Sequence, residues 1–475
     1  MNGPIRRVSV VVMVMFLALM LNASYSYVFR TESLQRDPNN RRVRDAEFGT
    51  DRGDILVGNT PIVTSTPVDD RFGFQRTYEP GPRYAAVTGH YSFLYGGSGL
   101  EQYYSPQLSG TADSQFLQNL VNTATGSRPQ GASLETTLDA RAQQAAARGL
   151  GDRPGAVVAI DYTTGQIKAL VTSPTYDPNR LASHDLASTQ AAWKELNEDD
   201  DRPLANRAAK EIYPPGSTFK IVVAAAALES GMTEDTLVEA PDSLRLPGST
   251  FEMGNAGSCG GAQVSLRQAL QVSCNTAFAN LGAQLGDDAL RTQARRFGFG
   301  SSQLPELGGV ASRFPDNPDA AQTMLSSIGG FEVAASPLQM AMVTAGIANG
   351  GVVMEPYLVT RVRGADLNVI SSRSPRQLST AMSTANARSL ADMMVNVVEN
   401  GTGRRAQIPG VEVGGKTGTA VTGTDRAPYA WFVAFADDPT VAVAVFVQDA
   451  GVDGSEVSGG RYAAPVAQSV IEAMR

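Results

Sequence analysis

Histidine is almost missing from this chain. His90 and His184 are the only two in 475 residues, which nearly removes histidine-ligated metal sites and leaves a Ser-His-Asp mechanism few candidates. Cysteine is equally scarce, since Cys259 and Cys274 are too few for a disulfide scaffold or a four-thiolate zinc site. Lysine is short as well: Lys168, Lys194, Lys210, Lys220 and Lys416 are the only ones among 39 basic residues. A net charge of -8 without a basic stripe argues against nucleic acid as a partner. What is present, 42% hydrophobic and 18% charged residues, excludes a disordered chain, and the length favours two folded units.

The longest apolar run lies at the start. Arg6 and Arg7 precede Val8–Leu21, and a weaker apolar stretch continues to Phe29, about the length that spans a bilayer. A cleaved signal peptide is the competing reading, although Leu21-Asn22-Ala23 fits a small-x-small cleavage site poorly. We therefore expect residues 1–7 as a short cytoplasmic tail and 8–29 as an uncleaved membrane anchor. Arg30, Arg36, Arg41, Arg42 and Arg44 outnumber Arg6 and Arg7, so charge counting does not set the orientation. The large domain is expected outside, because long domains translocate largely regardless of that bias.

Residues 30–150 read as short strands and turns rich in Gly, Pro, Tyr and Arg, an accessory module without a long amphipathic helix until Thr137–Ala146. A hairpin then opens the second unit, 151–475, with strands at Ala156–Asp161 and Gln166–Val171 around Thr163-Thr-Gly165. Helices are expected at Ser188–Leu196, Ser217–Glu229, Leu266–Leu285, Pro337–Ala348 and Ala385–Glu399, and strands at Ala430–Phe435 and Val441–Val447. Strands, then helices, then strands again predict an α/β (α+β) fold with one sheet covered by helices.

Within this unit, Ser217-Thr-Phe-Lys220 follows Tyr213-Pro-Pro-Gly216. The prolines stop any preceding element, so Ser217 should open an apolar helix, where free amides and the helix dipole favour developing negative charge. Lys220 shares its face, and burial in that helix would depress its pKa until a neutral amine could take the serine proton. Alone, such a pair is also what an ordinary helix start with one exposed lysine looks like. Ser273-Cys-Asn275 adds a hydroxyl and a carboxamide, though a capping serine and a turn asparagine read the same way. Lys416-Thr-Gly-Thr419 is more discriminating: a cation, hydroxyls and glycine on a strand suit a carboxylate-bearing peptide.

S-x-x-K, S-x-N and K-T-G in this order resemble the penicillin-binding protein and serine β-lactamase superfamily. The similarity extends to Asn206-Arg-Ala208, Ser173–Asn179, Ser336–Ala341 and Ala348–Gly351, and so over nearly all of 150–475. Arg52-Gly-Asp-Ile55, Tyr91-Ser92 and Gly97–Tyr103 resemble the non-catalytic pedestal, or dimerisation-like domain, of class B members, the monofunctional transpeptidases. Glu101 reads as structural, for want of a paired carboxylate at a glycosidase spacing.

The resemblance implies a penicillin-binding transpeptidase fold with helices around a mainly antiparallel sheet, and neither cofactor nor metal. It implies Ser217 as nucleophile, Lys220 as base, Ser273 as proton relay and Asn275 as the residue holding donor and Lys220. Backbone amides of Ser217 and Thr419 would form the oxyanion hole, with Lys416, Thr417, Gly418 and Thr419 binding substrate. The implied reaction is cross-linking of peptidoglycan stem peptides on lipid-linked glycan strands with release of D-alanine. β-Lactams would be covalent inhibitors, with a polytopic glycan polymerase and elongation or division proteins as partners. A catalytically idle β-lactam sensor and a D,D-carboxypeptidase are the alternatives. The acidic residues Glu306, Glu332, Glu355 and Glu399 show no E-x-x-x-N arrangement for deacylating water, which disfavours a β-lactamase. Two departures stand out: Gly330 where many relatives carry glutamine, and Cys274, which could pair with Cys259 in an oxidising space.

Overall fold

The computed structural model describes residues 2–30, 48–115, 130–420, 427–453 and 457–475; Arg36, Arg41, Arg42 and Arg44 lie outside them. Helix α1 (Asn2–Tyr25) carries the N-terminal apolar run and a π-helical segment extends it to Arg30. Its segment Gly3–Tyr25 has a mean hydropathy of 2.1 and is not buried against the protein, which makes it a candidate membrane anchor by length and composition.

Strands β1 (Ile55–Val57), β2 (Thr60–Pro67), β3 (Phe74–Tyr78) and β4 (Ser133–Thr136) form most of a mixed sheet, in which β1 pairs antiparallel with β2 and parallel with β4. A buried ion cluster ties it together. Arg52 just before β1 donates to Glu101 Oε2 at 2.8 Å, Arg76 on β3 donates to Oε1 at 2.6 Å, and Tyr78 Oη donates at 3.2 Å. Burial pushes the Glu101 carboxyl up, but the Arg76 and Arg52 guanidiniums outweigh it and hold the pKa below the usual value. Glu101 is thus a structural clasp, and the Arg52-Gly53 dipeptide has a steric reason too: a Cβ on Gly53 would lie 2.0 Å from Ala132 O.

Helix α2 (Ala140–Leu150) starts where Asp139 accepts from the Arg141 and Ala142 amides, and its apolar stripe Ala142, Ala146, Leu150 is fully buried. The expected boundary at 150/151 falls at the end of this helix, yet the stripe packs against the catalytic sheet rather than the pedestal. The sheet begins with the hairpin β5 (Gly155–Ile160) and β6 (Ile167–Ser173). Helices α3 (Lys220–Glu229), α4 (Leu266–Gln271), α5 (Asn275–Leu285) and α6 (Pro337–Ala348) follow. The chain then returns to the pedestal. Strands β7 (Val359–Arg363) and β8 (Val369–Ser372) complete the first sheet in the order β8-β7-β4-β1-β2-β3. Beside them, Arg373 pairs with Glu306 at 3.1 Å and Glu355 at 3.3 Å.

Helix α7 (Thr384–Asn400), strands β9 (Val413–Ala420), β10 (Tyr429–Asp437) and β11 (Thr440–Val447) and helix α8 (Ala464–Ala473) finish the chain. The catalytic sheet has the order β9-β10-β11-β5-β6, antiparallel throughout. Alternation sorts its side chains. Trp431, Val433, Ala444 and Phe446 join the core with α3, α5 and α6, whereas Phe432, Ala434, Val443 and Val445 meet α2 and α8. Both faces are covered, so β11 reads as an unbroken apolar run, and β9 is left as the edge that faces the cleft described next.

Candidate active site

The nucleophile turn is tighter than an α-helix start. Gly216–Phe219 is a 3₁₀ turn and the α-helix begins only at Lys220, because Thr218 Oγ1 donates back to Pro215 O at 2.7 Å. Gly216 has φ +52°, and a Cβ there would lie 2.6 Å from Thr419 O, so the backbone of the turn abuts β9 directly. Trp431 Nε1 donates to Pro214 O at 3.0 Å, and Gly216 N donates to Gly329 O at 3.1 Å. The turn is fixed from three sides.

The single helix expected over 266–285 is broken. Ser273 has φ +60°, which no helix accommodates, and α5 restarts after it with Asn255 Oδ1 accepting from the Asn275 and Thr276 amides at 2.7 and 3.0 Å. A left-handed serine costs on the order of 1–3 kcal/mol, and here it places hydroxyl and carbonyl of one residue on the same amine. Cys259 and Cys274 are bonded, with Cα atoms 5.4 Å apart, which ties the 252–262 segment to this corner.

Lys220 and Lys416 are both fully buried and meet at Ser273. Lys220 Nζ donates to Ser273 O at 2.7 Å and Asn275 Oδ1 at 2.8 Å and lies 3.2 Å from Ser273 Oγ; Lys416 Nζ donates to Ser273 Oγ at 2.8 Å and Thr417 O at 2.9 Å. Burial, then the Lys416 charge, depress the Lys220 pKa far below its ordinary value, and burial lowers that of Lys416 to about 7. Both causes favour the uncharged form of Lys220. A neutral Lys220 has two N–H and one lone pair, and two acceptor-only groups, Ser273 O and Asn275 Oδ1, take the N–H. Its lone pair then faces the Ser273 hydroxyl at 3.2 Å. Ser217 Oγ enters none of these bonds, so the Ser217–Lys220 pairing expected from the sequence is not a hydrogen bond in this structure.

Ser217, Ser273, Asn275, Thr417 and Thr419 line a cleft of about 610 Å³, with Phe251, Val272 and Ile328 as its apolar part, and the buried Lys220 and Lys416 reach it through Ser273. Among its described lining residues none is acidic. A larger cleft, about 910 Å³, runs past Asp200, Asp201, Glu211 and Tyr213 but contains no residue of the S-x-x-K, S-x-N or K-T-G motifs, so size alone does not mark the site. Gly418 and Gly459 pack backbone to backbone: a Cβ on Gly459 would lie 1.9 Å from Trp431 O and 2.6 Å from Gly418 O. Sequence reading missed the Ser458-Gly459-Gly460 wall, Gly329 and Thr402, the last of which shares a 2.7 Å hydrogen bond with the Thr417 hydroxyl. The glycine pairs were their only visible signal. Gly330 lines the cleft beside Ile328.

A cleft offering a serine and a neutral amine can run acyl transfer through the serine, and both histidines are engaged elsewhere, His90 with Tyr176 and Ser98, His184 with Asp70. The site thus defines an active-serine acyltransferase. A family model for the penicillin binding protein transpeptidase domain matches residues 155–472, and one for the penicillin binding protein A dimerisation domain matches 52–134. The peptidoglycan D,D-transpeptidase PbpA of Mycobacterium tuberculosis is 43% identical over 487 residues, covering 100% of this chain and 99% of the relative. PbpA of Mycolicibacterium smegmatis is 42% identical over 488 residues, with the same shares. The solved penicillin G acyl-enzyme complex of M. tuberculosis penicillin-binding protein A superposes with a TM-score of 0.85 at 43% identity, covering 89% of this chain and 99% of that one. This chain belongs to the penicillin-binding protein transpeptidase family, as a class B member of the penicillin-binding protein A type.

Proposed function

We propose that this protein is a membrane-anchored peptidoglycan D,D-transpeptidase and a covalent target of β-lactams. The observation that carries the reading is the buried Lys220 amine held by Ser273 O, Asn275 Oδ1 and the Ser273 hydroxyl beside the cleft that holds Ser217, where burial favours its uncharged, proton-accepting form. Ser217 Oγ attacks the carbonyl between the two terminal D-alanines of a donor stem peptide and its proton passes to Lys220. The oxyanion is held by the backbone amides of Ser217 and Thr419, a contribution of about 3 kcal/mol per donor. Ser273, polarised by Lys416, hands the proton to the departing amine; the C–N bond breaks, D-alanine leaves, and an ester on Ser217 remains. An acceptor amine then attacks the ester, its proton returns through the same groups to Ser217, and a cross-link forms. Asn275 positions the donor and Lys220, while Lys416, Thr417, Gly418 and Thr419 take the terminal carboxylate.

The absence of a carboxylate among the described cleft residues favours slow hydrolysis of the ester and hence transfer to an amine. Anchor helix α1 and the Cys259–Cys274 bond support a single-pass protein of the cell membrane with its catalytic domain in an oxidising extracytoplasmic space. There it would act on lipid-linked glycan strands beside a polytopic glycan polymerase and elongation or division proteins.

The test incubates the protein with a stem-peptide donor and an acceptor amine. Cross-linked product and free D-alanine are expected, both lost in Ser217→Ala. Shortened peptide without cross-link in abundant acceptor would make it a carboxypeptidase, and acylation by penicillin with neither product would make it a sensor.

A further inference from the structure

We infer that Thr402 is a positioning residue for carboxylate recognition, acting through the Thr417 hydroxyl; this rests on the function proposed above. Thr402 lies in the turn Gly401-Thr402-Gly403 that ends helix α7, outside every motif, yet it lines the cleft beside Thr417 and Thr419. Its place is fixed by its neighbours. A Cβ on Gly401 would lie 2.3 Å from Gln271 O, one on Gly403 would lie 3.2 Å from Val398 Cγ2, and one on Gly460 would lie 2.7 Å from Thr402 O. Thr402 N donates to Gln271 O at 3.4 Å, two residues before Ser273, so the turn is registered against the relay corner.

The side chain makes one hydrogen bond in the structure, Thr402 Oγ1 to Thr417 Oγ1 at 2.7 Å. A hydroxyl has a single hydrogen to give. If Thr417 gives its hydrogen to Thr402, none is left for a ligand; if Thr402 gives its own, the Thr417 hydrogen is free for the cleft. An anion in the cleft selects the second arrangement, Thr402 O–H to Thr417 Oγ1 and Thr417 O–H to the carboxylate. Each bond in such a chain polarises the next. Lys416 donates to Ser273 Oγ and Thr417 O, and the Thr417 and Thr419 side chains line the cleft where they can meet the carboxylate directly.

The experiment measures the second-order rate of Ser217 acylation by penicillin G and by its methyl ester, which lacks the anion, in the full-length protein and in Thr402→Val and Thr402→Ser. Thr402→Val keeps the shape and removes the hydroxyl. It should slow acylation by the acid roughly 5- to 10-fold, the size of one neutral hydrogen bond, and leave the ester within about 2-fold. Thr402→Ser should restore the acid rate to within about 2-fold. Equal loss with both probes, no loss with either, or failure of serine to rescue would overturn the assignment. If the unaltered protein is acylated by neither compound, the function proposed above fails and this inference with it, whereas acylation with an unchanged acid-to-ester ratio in Thr402→Val removes the role of Thr402 alone.

Discussion

Two buried lysines sharing one serine hydroxyl set the pH behaviour of the site. Lys220 works only when neutral, so acylation rises with pH as Lys220 loses its proton, and the Lys416 charge lowers the pH at which this happens. Lys416→Met removes that charge while keeping the bulk. The Lys220 pKa should rise, and the acidic limb of the acylation profile should move to higher pH, with a lower rate overall because Ser273 loses its cation. A profile that keeps its acidic limb or moves it downward would show that Lys416 does not set the Lys220 proton affinity. Because the two amines contact one hydroxyl, the measured values belong to the pair. At this scale the sequence was informative where chemistry repeats a short pattern. Ser217, Lys220, Ser273, Asn275 and Lys416 stand at readable spacings, and the structure brings them within one cleft. Thr402 and Gly459 stood at none, because they meet the motif strand only through tertiary packing.

Elements were legible in proportion to their apolar pattern. Pro337–Ala348 has the bounds read from the sequence, and β10 and β11 extend their expected cores by two residues or fewer at each end. The break at Ser273 was not legible, because positive φ at a serine has no compositional sign and the apolar pattern resumes at Ala277 and Phe278 after Ala269 and Leu270. Nor was the pairing of β7 with β4, a contact between segments far apart in the chain. The Glu101 cluster shows how much such contacts matter, since it joins β3, the residue before β1 and the helix Gly99–Tyr103. Removing the carboxylate leaves the buried Arg52 and Arg76 guanidiniums without the Glu101 counter-charge that both contact. Glu101→Ala should therefore cost about 3–5 kcal/mol and lower the thermal midpoint, read by calorimetry, with penicillin capture retained at low temperature. An unchanged midpoint would show that the cluster contributes nothing net.

At the scale of the molecule, helix α1 is the described element that is not buried against the rest, while the chain passes between the six-stranded and the five-stranded sheet more than once. Deleting residues 1–30 should release the protein from vesicle membranes into the soluble fraction after ultracentrifugation, with its acylation rate by penicillin unchanged. A full-length protein that stays in the supernatant would exclude the anchor. The lacing of the two sheets was the least readable feature of all, because residues 359–372 sit in a stretch whose family resemblance is catalytic. It has a consequence for how the chain is made. A ribosome finishes β4 long before it reaches β7, so the growing pedestal carries an unsealed strand edge while the residues between Thr136 and Val359 are made, and the last stitch of the first domain comes from the gene's second half. Early termination anywhere before residue 359 would thus leave a fragment prone to pairing with its own kind.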